Sequence, residues 1–595
     1  MDKRSVMAFV VIFVILILMP VYYKWVTPES DDAGIPQDSI SIADTPPETR
    51  RPSAQRTEGT TRVERPKMQL RSREALPKQD ETVYSIENDV YRIQLSSIGG
   101  GTIRSSVLKE YNKSVDSDSL VELINPSRKN PLILRFISID GDSAILDQNY
   151  ELSYNSMPIG HHNRLEVQND EKLVLTFTLA IDDGVEVRKT FTFYGDRYQI
   201  DLKTDLSEAQ DYAATSYYEL SWDGGLSYTE ALTKDEIYYS KAYAFSGNEL
   251  ETVNAKSGKY DLEQFRGSTD WMAIRTKYFC SVFIPERPAL GYTISSKGIP
   301  MQGNEYQKIF SMHLQLPIDR PMTTTIFIGP LDHALIKSMD TELDQIMTFG
   351  FKLIRPISKG ILWTFKKMNS FIPNYGLVLI IFSILVKVLL SPLTNRSTRS
   401  MMEMQKLQPK ITALREKYSE DAQKLNEETM KLYKEHGVNP MGGCLPLLLQ
   451  MPILIALFTI FRSTIELRHA PFILWITDLS SPDTVYTLPF SIPIYGNHVN
   501  VLPFIMVIST FIQQKLTTSA SGNPQQKMMA YMMPIFFFFL FNQFPSGLNL
   551  YYTLFNILSV VQQKLLPPKP KKPKKSKQST FQALREMQAK YNKRK

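Results

Sequence analysis

A single lysine, Lys387, sits twelve residues into an apolar run of membrane length, Tyr375 to Pro392, that contains no Asp or Glu. A charge at membrane depth costs about 2.5–3.5 kcal/mol on insertion scales. A chain that keeps such a residue either lets it escape to water or uses it. At about 1.5 Å of rise per residue, Lys387 lies roughly 18 Å from Tyr375, past the middle of a ~30 Å hydrocarbon core. A lysine stem at that depth nearly reaches the far interface, so snorkelling is one reading. A fixed positive charge that attracts carboxylates is the other.

Other polar residues lie on the apolar segments. Ser383 is one turn before Lys387, and Gln450, Ser509, Gln513, Asn556 and Gln562 lie further along. Singly, each fits an interhelical hydrogen bond; together they fit the lining of a polar cavity. Covalent chemistry is not indicated. There is no metal-ligand spacing, nucleophile elbow or acid–base pair, and His161-His162 is only a polar doublet. No enzyme activity and no cofactor are expected. Cys280 and Cys444 read as small buried residues rather than redox groups.

The elements that must position these groups follow from hydropathy. Five apolar segments, about 375–392, 443–461, 499–514, 529–544 and 548–563, read as core transmembrane helices. Phe544-Pro545-Ser546-Gly547 makes the last two a hairpin. Several are short, so the bilayer is expected to thin around them. Residues 1–26 read as an uncleaved anchor helix, because Val6–Val21 is apolar but Met19–Lys24 has no small-residue cleavage site. Residues 27–80 are rich in Pro, Ser, Thr and charge, which suits a flexible linker. Residues 81–340 read as an all-β sandwich. Leu173, Leu175, Phe177, Leu179 and Ile181 alternate, as on one face of a strand. Residues 346–371 mix apolar and basic side chains, as in an amphipathic helix lying in the interface plane.

Charge sets the orientation. The loop 395–441 is basic and has helical spacing at Met404, Leu407, Ile411 and Leu414, then loosely at Leu425, Met430 and Tyr433. Ser419, Glu420 and Asp421 supply a cap and an acidic first turn between the two arms of this helical hairpin. The tail 567–595 carries Lys569, Lys571, Lys572, Lys574, Lys575 and Lys577. The positive-inside rule puts hairpin, tail and N-terminus in the cytoplasm and the β domain outside. The tail suits either anionic lipids or ribosomal RNA.

Lys387-Val-Leu-Leu-Ser-Pro-Leu-Thr394, Leu407-Gln-Pro-Lys410, Val438-Asn-Pro-Met-Gly-Gly-Cys-Leu-Pro446, Gln450-Met-Pro452, Glu466-Leu-Arg-His-Ala-Pro471 and Phe544-Pro-Ser-Gly547 resemble, in order and spacing, the YidC membrane-protein insertases. The likeness covers about 370–566. The anchor and large β domain resemble the Gram-negative branch, which implies a multi-pass protein of the bacterial inner membrane with a periplasmic β domain. The resemblance implies five core helices around a hydrophilic groove open to cytoplasm and lipid. It also implies help with insertion of nascent membrane proteins, alone or with the Sec translocon and its accessory proteins. The ribosome would engage the hairpin and tail.

Most of that family carries arginine where this chain has Lys387. A lysine keeps the charge but not the bidentate fork. The resemblance also implies that Tyr551 or Tyr552 faces the groove beside Ser383. Met451, Ile455, Phe458 and Phe461, with Phe536 and Phe537 at the head of the run to Phe541, fit an apolar slide for the incoming helix. An ion-coupled transporter is the rival reading, although its usual intramembrane Asp, Glu or His is missing from the spans. A membrane-tethered glycan-binding module would explain the β domain but leave Lys387 unused.

Overall fold

The computed structural model describes residues 81–124, 131–301, 306–419, 421–437, 445–492, 495–517 and 524–565. The expected anchor and linker, Cys444 and the lysines of the tail lie outside the described residues.

Alternating strands build the external domain. Among the described residues they form a 14-stranded and a 5-stranded sheet. In the strand Lys172–Asp182, Leu173, Leu175 and Phe177 are fully buried, whereas Leu179 and Ile181 are only partly covered. Asp183-Gly184, with Gly184 at φ +79°, turns this strand into Val185–Tyr194. The two sheets meet where Tyr84 of the smaller packs edge-on against Phe177 of the larger, ring centroids 5.8 Å apart. Lys189 is buried here and donates to the carbonyls of Gly99 and Leu132 at 2.9 and 2.6 Å. Burial pushes its ammonium down to about 7. Cys280 is a buried free thiol.

The helices are α1 (Thr233–Tyr239) and α2 (His333–Lys337) at the β domain, then α3 (Arg355–Asn369), α4 (Tyr375–Lys417), α5 (Ala422–Glu435), α6 (Leu445–Ser463), α7 (Val501–Thr517), α8 (Pro524–Phe541) and α9 (Ser546–Leu565). Among the described residues, α4 alone is long and apolar enough to cross a membrane by length and composition; α6 and α7 carry shorter apolar stretches. Sequence reading puts a break between 392 and 395, but α4 runs unbroken through Pro392 and Pro409 for 43 residues. The first apolar segment and the first arm of the hairpin are therefore one helix. α5 is capped by Asp421, whose carboxylate accepts the Lys424 amide at 2.9 Å, rather than by Ser419. Leu407 and Ile411 are covered by Met404, Leu432 and Tyr433, while Met430 is exposed.

Charged contacts, one of them buried, tie the β domain to the helices. Arg468, in the loop after α6, donates to Glu230 at 2.8 Å and to the Asn112 carbonyl at 2.8 Å, with its guanidinium near the Tyr278 and Phe279 rings. Arg462 of α6 forms a forked pair with Asp235 of α1. Lys366 of α3 bridges Asp332 and Glu466 at 3.0 and 3.2 Å. Glu236 shapes the docking segment from within. Burial pushes its carboxyl up to about 7, against the amides of Thr229 and Glu230 that donate to it.

Removing Arg468 takes from Glu230 the guanidinium it pairs with in the interior, a change that typically costs about 3–5 kcal/mol at buried pairs. In Arg468→Ala, amide hydrogen exchange should accelerate across 229–240 and 110–114 and stay unchanged in α7 and α9. Unchanged protection of 229–240 would contradict this account of the interface.

Candidate functional site

α4 and α9 start at the same external loop and run side by side. The Ser546 and Gly547 amides donate to the Ser481 and Leu479 carbonyls, and the Phe472 ring lies on Gly376. Lys387 is about 18 Å along α4 from Tyr375, and Ser559 about 20 Å along α9 from Ser546, at 1.5 Å per residue. At that shared depth the two side chains meet. The Lys387 Nζ donates to Ser559 Oγ at 2.6 Å and lies 4.3 Å from the centroid of the Phe555 ring. Only 8% of Lys387 is exposed, and among the described residues it has no carboxylate partner. The lysine does not snorkel outward; it turns inward, onto α9.

Phe555, Asn556 and Ser559 share one face of α9, at helical spacings of three and four. Asn556 donates to Ser509 and Thr510 of α7 at 3.1 and 2.8 Å. Gln562 donates to Thr394 and Asn395 of α4 at 3.0 and 2.5 Å. α9 is thus stitched to α7 on one side and α4 on the other. Gly547 permits the approach of α9 to α6, since a Cβ there would lie 2.4 Å from the Phe461 ring.

Polar groups on α4, α6 and α9 are left with hydrogen-bonding capacity unused among the described residues. An ammonium has three N–H donors, and Lys387 uses one on protein. Gln450 Nε2 and the Tyr551 hydroxyl are buried and unpartnered. A buried unsatisfied group costs about 1–3 kcal/mol, so each of these is a group that water or another chain can complete.

The remaining sequence candidates separate. Ser383 is fully buried, but its hydroxyl donates to the Leu379 carbonyl of its own helix. Tyr552 packs on Phe541 and Phe537, ring centroids 5.6 and 6.3 Å away, not on Lys387. Gln513 is half-buried on α7, outside the Asn556 contact. Met451, Ile455 and Phe458 are half-buried on α6, and Phe458 meets Phe544 at 4.9 Å. Phe461 is fully buried, so it belongs to the core and not to a sliding surface. Phe536 and Phe537 are half-buried; the exposed stripe of α8 is Met532, Ile535 and Phe539. Sequence reading missed Ser559, Phe555 and Thr510. The usable signal was the i, i+3, i+4, i+7 series Tyr552, Phe555, Asn556, Ser559.

The family models and the curated relatives point to one family. The family described as the YidC periplasmic domain matches residues 83–364, and the 60Kd inner membrane protein family matches 367–573. The membrane protein insertase YidC of Chlorobaculum parvum is 35% identical over 574 residues, covering 95% of this chain and 94% of that one. The chain belongs to the YidC membrane protein insertase family. The YidC of Chlorobaculum tepidum is 38% identical over 491 residues, 81% of each chain. A solved structure of an active YidC insertase with its first transmembrane domain resolved aligns over 81% of this chain and 94% of that one, with 17% identity and a TM-score of 0.35. None of these likenesses supports the ion-coupled transporter.

In this YidC relative, the α7–α9 seam rests on Asn556. Asn556→Ala removes two hydrogen bonds, each worth about 0.6 kcal/mol between membrane helices. Unfolding in mixed micelles should show a loss of roughly 1 kcal/mol. A loss no greater for Asn556→Ala than for a lipid-facing control such as Ile557→Ala would remove the seam from the account.

Proposed function

We propose that this chain inserts newly made proteins into the bacterial inner membrane, alone or with the Sec translocon, by electrostatic capture at Lys387. The supporting observation is the ammonium itself, held inward by Ser559 and Phe555, with unused donors and no carboxylate among the described residues. A substrate's polar or acidic translocating segment would enter from the cytoplasm. It would complete those donors part-way across, so the dry path left to cross is shorter. The act is binding and release, with no covalent step and no cofactor.

The external ends of the helices support a one-sided entrance. Asp483 accepts the Val501 and Leu502 amides at 3.0 and 2.8 Å, and Asn542 donates to the Tyr495 and His498 carbonyls at 3.0 and 2.7 Å. These bonds close loop onto helix outside. α7 has 17 residues, or about 25 Å of helix, less than a ~30 Å core. Local thinning of the bilayer beside it would lower the barrier further. The apolar surface an incoming helix would follow includes Met451, Ile455 and Phe458 of α6. The β domain serves as a docking surface for accessory proteins of the translocon, and the basic hairpin and tail face ribosome and anionic lipid in the cytoplasm.

Charge, not fork geometry, is what this mechanism needs. In a reconstituted insertion assay with a substrate bearing an acidic external tail, Lys387→Glu and Lys387→Ala should lower insertion strongly, and Lys387→Arg should retain most of it. Full activity of Lys387→Glu would sink the proposal.

The tail gives a second outcome. Deleting the residues after Pro567 should reduce co-sedimentation with ribosomes, and raising salt should do the same to the intact chain. Unchanged co-sedimentation on deletion would assign the tail to lipid instead.

A further inference from the structure

The external loop between α6 and α7 contains an uncharged apolar stretch, Pro471-Phe-Ile-Leu-Trp-Ile476, folded as a rigid turn. The Phe472 amide donates to the Ile476 carbonyl at 3.0 Å and the Ile476 amide to the Ile473 carbonyl at 3.2 Å. At the base, Phe472 lies so close to Gly376 that a Cβ there would sit 2.0 Å from its ring. On the other flank, Trp475 donates its indole N–H to Asp483 at 3.0 Å, the same carboxylate that caps α7. The turn is therefore fixed to the first turns of both α4 and α7.

The turn holds apolar side chains outward. Leu474 is 81% exposed and sits at φ +56°, a left-handed conformation that leucine rarely adopts. Ile473 and Trp475 beside it are also exposed. The adjacent hairpin, Thr484–Ile492 with Gly496–Asn500, exposes Val485, Tyr486 and Phe490. The supporting helices continue the surface, with Leu377, Ile381 and Ile384 exposed on α4 and Phe504, Ile505 and Ile508 on α7. Tips of this kind in water would invite aggregation, whereas Trp and Tyr beside aliphatic residues suit the membrane–water boundary.

We infer that the turn Phe472–Ile476 is a foot seated in the outer leaflet of the inner membrane, and that its partner is lipid. Continuity decides for lipid over a protein partner. The turn is anchored on the first turn of α4, the described helix long and apolar enough to cross a membrane, whose exposed Leu377, Ile381 and Ile384 face lipid if the insertase reading above holds, and no charged side chain interrupts the stretch from Ala470 to Thr477. A rigid foot fixes the height of α4 and α7 in the membrane, and through them the depth at which Lys387 waits.

The test uses the full chain with Cys280→Ala and Cys444→Ser, carrying Leu474→Cys with a nitroxide label. The protein is reconstituted in vesicles of phosphatidylethanolamine and phosphatidylglycerol, and accessibility to oxygen and to a water-soluble nickel chelate is read by power saturation. The expected result is oxygen favoured over nickel at position 474, as for a label at Leu389 on the exposed face of α4 and opposite to one at exposed Tyr260 in the β domain. Ile473→Cys, labelled in the same way, repeats the measurement should Leu474→Cys fail to fold. Nickel favoured as at Tyr260 would overturn the inference, and so would a label shielded from both reagents, which would indicate a protein partner. Loss of insertion by the Lys387 variants bears only on the groove and leaves this readout untouched.

Discussion

An ammonium in the depth of a membrane protein has to be solvated by something, and the helical region of this chain is arranged around that need. Among the described residues, Lys387 finds one hydroxyl and the negative face of one aromatic ring. Both come from α9, so the solvation of a charge on α4 depends on the placement of α9. A phenyl face and a hydroxyl are partial compensation. A carboxylate would neutralise the charge and end its use; an all-apolar surround would expel it. The arrangement keeps the charge available and incomplete.

That placement is enforced from both ends of α9. Externally, Gly547 lets the helix approach Phe461, and backbone bonds from Ser546 and Gly547 reach the loop at 479–481. Deeper, Asn556 fastens it to α7 and Gln562 to α4. The β domain joins the same framework. Arg468 reaches from the loop after α6 to Glu230, and Arg462 of α6 reaches Asp235. A buried ion pair such as Arg468–Glu230 contributes little net stability beside an apolar equivalent, but breaking it is costly, so it specifies where the domain sits.

What the sequence revealed was what composition and short-range period can carry. Lys387 stands out because an unneutralised charge in an apolar run needs no structure to be noticed. The alternation of Leu173, Leu175 and Phe177 likewise announces a strand. The partners of Lys387 were not legible, because Ser559 is 172 positions away and becomes a neighbour only when two helices start from one loop. Pro392 looked like a boundary, yet α4 absorbs it, since a proline removes one rung of a helix that tertiary packing still supports. Arg468 was visible only as part of a family motif. Its role as the charge that enters the β domain depends on contacts more than 200 positions away in sequence.

On the proposed function, a translocating segment visits the inward face of α9 beside the Lys387 ammonium. The most direct measurement places a photo-crosslinking residue at Ser559 and, as a control on the opposite face, at exposed Ile557. Each is tested against a ribosome-bound nascent membrane protein. The account predicts that the polar translocating segment crosslinks from 559 and not from 557. Crosslinking of that segment from 557 alone, or from neither position while insertion proceeds, would contradict it.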